Sequence, residues 1–292
     1  MSALKLDFIG VGAAKAATTW LAECLRIHPQ VCLPKQKELN FFCSTYVWWP
    51  TTATYYDRGQ VWLERQFQGC QRKQIQGEIS PNYLVDPTSP ALIWQHNPAI
   101  KLFFSLRNPV EGLYAMYFQL ARNRRVPDTF EAFLEEYPHV LTYGSYFSHV
   151  GRYMQHFPRR QCHFLIYDDI VADPQAVLEG LFAFLAVGTQ IKPLPASQEV
   201  NPGHLVRFRL IRDGIGDMTD LLNTSPGARR AKAWLRMLQA HRVADWLEAR
   251  NLRPGPYPPL RQGTRRRLQD LYAAEIDQLG ALLGRDLSHW HA

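Results

Sequence analysis

The sequence predicts an α/β fold, a central parallel sheet flanked by helices, with a P-loop-like anion site after the first strand. Three observations predict it. Short apolar runs alternate with longer amphipathic ones along the chain, the pattern of a parallel sheet covered on both faces. The first apolar run passes through a stretch of small residues into a helical pattern, giving the order strand, tight loop, helix. A later run, Lys-Leu-Phe-Phe-Ser-Leu, ends at an arginine and leads through Asn-Pro into another helical pattern.

In chain order, residues 5–10 (Lys-Leu-Asp-Phe-Ile-Gly) read as a short buried strand and residues 11–17 as a loop. Leu21, Cys24 and Leu25 recur at i, i+3 and i+4, so a helix is expected over 18–27. Further strands are expected at 30–33, 74–79, 101–106 and 161–167. Helices are expected at 109–124, 145–157, 174–185, 228–250 and 263–283. Two stretches stand apart. Residues 43–58 carry Tyr46, Trp48, Trp49, Tyr55 and Tyr56 without a period. Residues 187–203 carry Pro193, Pro195, Pro202 and Gly203 and read as a long loop, a kind of segment that is usually functional. No repeat or internal boundary stands out, so the 292 residues are read as one domain, 1–292.

Composition bounds the function. With 46% hydrophobic residues, a chain of this length can bury a core without disulfides. The five cysteines, Cys24, Cys32, Cys43, Cys70 and Cys162, are odd in number and show no C-x-x-C spacing. Neither a disulfide framework nor a zinc site is expected, and a reducing, cytoplasmic setting is. The residues before Phe8 are few and polar, so no signal peptide is expected. No apolar run approaches the roughly 20 residues of a membrane-spanning helix, so no membrane insertion is expected. The net charge of +7 favours anionic partners such as nucleotides, phosphates or acidic sugars. Arg265, Arg266 and Arg267 lie inside a helical pattern and read as a solvated face. The other basic residues are dispersed, without the aromatic-interleaved stripe of a nucleic-acid-binding surface.

The main signal is Gly10-Val-Gly12-Ala13-Ala14-Lys15-Ala16-Ala17-Thr18-Thr19. Small side chains let backbone approach a ligand, and the loop feeds a helix N-terminus, where N–H groups and the dipole favour an anion. Lys15 adds charge there, and Thr18 and Thr19 add hydroxyls. A dinucleotide fingerprint would need glycine where Lys15 stands. A Walker loop would need glycine before the lysine and Ser/Thr after it, but Ala14 and Ala16 occupy those places.

The stretch Phe8 to Trp20 closely resembles the phosphosulfate loop of the PAPS-dependent sulfotransferases, in the bacterial and heparan-sulfate-type form (PAPS is 3'-phosphoadenosine 5'-phosphosulfate). Other segments extend the resemblance over roughly residues 6–290. Residues 28–42 end in Glu38-Leu-Asn40-Phe41-Phe42, similar to the family segment that carries the proposed catalytic base, which maps to Glu38. Asn40 stands where many relatives have histidine. Residues 77–84, with Glu78 and Tyr83, resemble the segment lining the acceptor cleft, and Ile79 replaces a lysine found in some animal relatives. Residues 101–117 resemble the 3'-phosphate segment, which implies that Arg107 binds that phosphate through its planar fork. Ala115 occupies the place of a family serine. Residues 200–209 resemble the loop over the nucleotide, with Arg207 as its cation and Arg209 close behind. The resemblance thus assigns Ala14, Lys15, Ala16, Ala17, Thr18, Thr19, Arg107, Ala115 and Arg207 to PAPS.

What it implies chemically is sulfuryl transfer to a hydroxyl of a small-molecule or carbohydrate acceptor. In-line transfer depends on positioning and electrostatics. Lys15 and the helix N-terminus would stabilise the departing phosphate, and a carboxylate would accept the acceptor proton. Glu38 is the first candidate for that base, with Glu78 and His149 behind it. Asn40, Trp48, Trp49, Tyr83 and His149 are expected on the acceptor side. A sulfuryl group carries less charge than a phosphoryl group, so no metal is called for. Two rivals remain open at this point: a P-loop-type nucleotide-dependent kinase, and a non-catalytic protein that binds nucleotide or nucleic acid. Oligomeric state and the choice between O- and N-sulfation are left open.

Overall fold

The computed structural model describes residues 4–43, 56–71, 74–122, 126–189, 204–206, 252–255 and 257–292. Five strands, β1 (Phe8–Gly12), β2 (Val31–Cys32), β3 (Ile75–Ile79), β4 (Lys101–Leu106) and β5 (Cys162–Ile166), form an all-parallel sheet in the order β2-β3-β1-β4-β5. The described helices are α1 (Thr18–Arg26), α2 (Gly59–Gln66), α3 (Ser89–His96), α4 (Pro109–Arg122), α5 (Phe130–Glu136), α6 (Tyr146–Met154), α7 (Tyr167–Ala172), α8 (Pro174–Leu185) and α9 (Gln262–Leu283). Contacts group the chain into two compact units: Met1–Leu113, His139–Val200 and Arg265–Ala292 in the first, Tyr114–Pro138 and Asn201–Thr264 in the second.

The first unit holds the sheet. β1 is fully buried, as the continuous apolar run of a central parallel strand requires. Phe8, Trp20, Leu21, Leu25, Phe103, Leu178 and Phe182 pack together in one core cluster, which joins α1 and α8 to the sheet. The second unit packs on aromatic rings: Phe118 stacks on Tyr257 with centroids 4.2 Å apart, and Tyr114 meets Phe130 edge-on at 5.0 Å. It also contains a two-stranded antiparallel ladder, β6 (His204–Val206) with β7 (Leu252–Pro254).

Some boundaries differ from expectation. The first strand is displaced along the chain to Phe8–Gly12, because Gly10 and Gly12 continue the ladder with β4 opposite Phe103 and Phe104. Gly12 has φ +129°, and a Cβ there would lie 2.7 Å from the carbonyl oxygen of Pro81. Its smallness serves close packing of the β1 end against the turn that follows β3. Helices α2, α3, α5 and α7 were not expected. At the start of α3 the Asp86 carboxylate accepts from the Ser89 N–H at 2.6 Å, and Pro90 stands in the first turn, where proline is tolerated. The expected helix at 228–250, residues 44–55 of the aromatic stretch and residues 190–203 of the expected long loop lie outside the described residues.

The reading of the cysteines is corrected. Cys32 on β2 and Cys70 after α2 form a disulfide, while Cys24, Cys43 and Cys162 are buried thiols. Pairing depends on where the chain brings two Cβ atoms, which spacing does not reveal. An odd count therefore does not exclude a disulfide here, and gives no support to a reducing compartment.

Candidate active site

Sheet order locates the site. From β1 the chain crosses to β2 on one side, and from β4 it crosses to β5 on the other. The two connections diverge, so a crevice opens beyond the carboxyl ends of β1 and β4, the usual ligand position in an open parallel sheet. The residues following those ends are the 13–17 loop and Arg107.

Three consecutive carbonyls of the loop are held by side chains from elsewhere in the fold. Tyr143 donates its hydroxyl to Ala14, Arg107 donates to Lys15 at 3.3 Å, and Ser105 donates its hydroxyl to Ala16. The Ala13 N–H in turn donates to the Ser105 carbonyl at 2.6 Å. Lys15 (φ 63°) and Ala17 (φ 61°) are left-handed. Left-handed residues alternating with others turn successive N–H groups toward one concavity, an anion-binding nest. Ala17 is the N-cap of α1 and supplies no side-chain cap, so the helix N-terminus depends on another partner for its first N–H groups. Ala13, Ala16 and Thr18 are buried, while Ala14, Lys15, Ala17 and Thr19 are partly exposed. The backbone pattern, the cation and the helix end fit a phosphosulfate.

The Arg107 guanidinium lies 4.4 Å from the centroid of the Tyr167 ring, a cation–π contact. With its bond to Lys15, this fixes the plane of the fork. Asn108 then accepts from Val110 N–H at 3.0 Å, so α4 starts immediately after the arginine.

The second half of the site rests on the end of β3. Ser80 N–H donates to Gly10 at 3.0 Å, which ties that end to β1. Glu78 is wholly buried and accepts from the Tyr83 hydroxyl, from Ser80 Oγ at 2.7 Å and from Leu39 N–H at 3.3 Å. Burial, outweighing these bonds, pushes its carboxyl up to about 7. Glu38 is exposed and pairs with Lys37. Phe41 and Phe42 are buried, with Phe42 edge-on to Tyr83 at 5.9 Å, so the paired phenylalanines anchor the segment.

A family model for the sulfotransferase domain matches residues 5–200. The chain belongs to the sulfotransferase family. It is 27% identical over 186 residues to human heparan sulfate glucosamine 3-O-sulfotransferase 3B1, covering 61% of this chain and 45% of the relative. It is 26% identical over 215 residues to mouse heparan sulfate glucosamine 3-O-sulfotransferase 5, covering 69% and 59%. The chain thus spans about half the length of the curated relatives it matches. In fold it is similar to a sulfotransferase from Alicyclobacillus acidocaldarius, with a TM-score of 0.71, 22% identity, and coverage of 99% of this chain and 100% of that one.

The remaining expected residues of this sulfotransferase-family chain fall in three groups. Asn40 is buried; its N–H donates to Ser80 Oγ at 3.0 Å and its Oδ1 accepts from Asn82 at 3.0 Å. Ala115 is buried on α4. Trp48, Trp49 and Arg207 lie outside the described residues. Three placements differ from expectation. Glu78 and Tyr83 show no exposed surface and bond to each other, so neither presents a side chain to an acceptor. His149 is buried, bonded through Nε2 to the Thr142 carbonyl at 2.6 Å, and lowered to about 4 by burial; such an imidazole is a poor proton acceptor near neutrality. Sequence reasoning missed Ser80, Ser105, Tyr143 and Tyr167. Ser105 left a signal, a lone hydroxyl inside the apolar run 102–106. Among the described residues no cluster of His, Cys, Asp or Glu has the arrangement of a metal site.

Proposed function

We propose that this chain transfers a sulfuryl group from PAPS to a hydroxyl of a carbohydrate or small-molecule acceptor. The observation that carries the reading is the tethering of the Ala14, Lys15 and Ala16 carbonyls by Tyr143, Arg107 and Ser105, which holds an anion nest at the switch point of the sheet. PAPS, when bound, supplies the activated sulfuryl group and a phosphate leaving group. The loop amides of residues 14–19 and the α1 N-terminus bind the anion, and Lys15 offsets negative charge there. Arg107, with its fork oriented on Tyr167, binds the 3'-phosphate; Ala115 and Arg207 are assigned to the nucleotide by the family resemblance alone. Glu38 accepts the proton of the acceptor hydroxyl, and its half-exposed carboxylate suits a group that must meet an incoming substrate. Asn40, Trp48 and Trp49 complete the acceptor side. A carbohydrate acceptor is favoured by the heparan sulfate enzymes among the relatives.

Calorimetry with 3'-phosphoadenosine 5'-phosphate, followed by transfer of labelled sulfate from PAPS to heparan sulfate and to a panel of phenols and alcohols, tests the proposal. Binding of the nucleotide and labelled product are expected. Phosphoryl transfer from ATP with magnesium, without binding of the 3'-phosphorylated nucleotide, would establish the kinase reading instead.

A further inference from the structure

We infer that Glu78 is a positioning residue for Glu38: a buried carboxylate that fixes the backbone of the segment carrying the base. This rests on the reading of Glu38 as the proton acceptor and adds the means by which it is held. Three backbone N–H groups of the segment converge on Glu78. Leu39 N–H reaches its Oε2 directly at 3.3 Å. Asn40 N–H donates to Ser80 Oγ at 3.0 Å, and that hydroxyl donates to Oε2 at 2.7 Å. Phe42 N–H donates to the Tyr83 hydroxyl at 3.3 Å, and that hydroxyl donates to Oε1. One carboxylate thereby organises the backbone on both sides of Asn40.

The segment needs such a hold. Glu38 (φ 63°) and Asn40 (φ 48°) are both left-handed, a region that non-glycine residues occupy mainly where surroundings impose it. A buried carboxylate has water to replace and is costly unless hydrogen-bonded, so removing its acceptors would strand Ser80, Tyr83 and Leu39 as well. Full burial of Glu78 and Tyr83 separates this role from contact with an acceptor. The position is set by β3, whose Glu78 lies opposite Ile9 of β1. The same strand that flanks the phosphosulfate loop therefore sets the base segment.

The test compares Glu78→Gln, Glu38→Gln and the double variant. Turnover is read as acceptor-free release of 3'-phosphoadenosine 5'-phosphate from PAPS, with water standing in for the acceptor hydroxyl. Amide exchange of Leu39, Asn40 and Phe42 is read by NMR. Glu78→Gln is expected to lower kcat by about 100-fold, the cost of a misplaced catalytic group, with KM for PAPS unchanged. The double variant is expected to be no slower than Glu38→Gln alone. The three segment amides should exchange faster, while those of residues 14–19 do not change. Losses that multiply in the double variant, or unchanged exchange in Glu78→Gln, overturn the positioning role. Full turnover in Glu38→Gln overturns the base reading, and the exchange data still decide whether Glu78 holds the segment. If Glu78→Gln does not fold, Ser80→Ala and Tyr83→Phe each cut one bridge: faster exchange at Asn40 alone or at Phe42 alone supports the hub, and unchanged exchange in both overturns it.

Discussion

Arg107 donates to the carbonyl oxygen of Lys15 at 3.3 Å, so the cation that ends β4 is bonded to the backbone of the cation in the β1 loop. The contact joins the two halves of an anion site that the sequence separates by more than ninety positions. It also gives Arg107 two tasks, holding the loop and meeting the nucleotide.

Arg107→Lys keeps the charge and loses the planar fork. It is expected to weaken binding of 3'-phosphoadenosine 5'-phosphate by about 1.5–3 kcal/mol, the worth of charge-assisted hydrogen bonds. Binding of adenosine 5'-monophosphate should weaken less, through the lost tie to the loop alone. Parallel calorimetric titrations check this, and equal weakening of both nucleotides would remove Arg107 from the 3'-phosphate.

Lys15→Ala should lower turnover by about 100-fold or more, the scale of losing one electrostatic stabiliser of developing charge. The variant should fold, because Lys15 is partly exposed and its backbone tie to Arg107 does not need the side chain. Single-turnover kinetics with labelled PAPS provide the measurement. A folded variant with near-normal turnover would place the transfer chemistry elsewhere.

Glu78 gives stability a pH dependence of definite sign. Its carboxyl is raised from 4.5 to about 7 because burial outweighs the bonds from Tyr83, Ser80 and Leu39, with the charge of Glu38 adding to the rise. Between those values the folded chain keeps a proton that the unfolded chain releases, so stability falls as pH rises. The contribution is complete below 4.5 and lost on passing about 7. Urea midpoints across this window should decline in the wild type relative to Glu78→Gln. A difference that grows with pH in the opposite direction would show that the three hydrogen bonds win.

The disulfide between Cys32 and Cys70 closes a separation of 38 residues. By the chain-entropy relation, such a loop is worth roughly 4 kcal/mol. Cys70→Ser should lower unfolding stability by about that amount, and a reductant should do the same to the wild type without affecting the variant. Identical denaturation curves with and without reductant would show that the bond contributes nothing in solution.

Much of this protein could be read from its sequence where the signal is local. The alternation of apolar runs and helical periods gave the parallel sheet, since burial on both faces of a strand imposes that pattern. The small residues around Lys15 marked the loop because only they let backbone approach an anion. The start of α3 was less legible, because the Ser89 N–H is held by Asp86, two residues before the N-cap position.

What the sequence by itself determined is the list of chemical parts: a lysine among small residues, an arginine ending a strand, carboxylates at 38 and 78. Each is written in neighbouring residues. Tertiary structure alone decided their relations. It paired Cys32 with Cys70, hung the loop carbonyls on Tyr143, Arg107 and Ser105, and buried Glu78 while leaving Glu38 exposed. The physical reason is that burial and hydrogen bonding depend on which strands become neighbours. β3 enters between β2 and β1 after a long excursion of chain, and only that insertion puts the carboxylate of Glu78 beneath the backbone of Leu39.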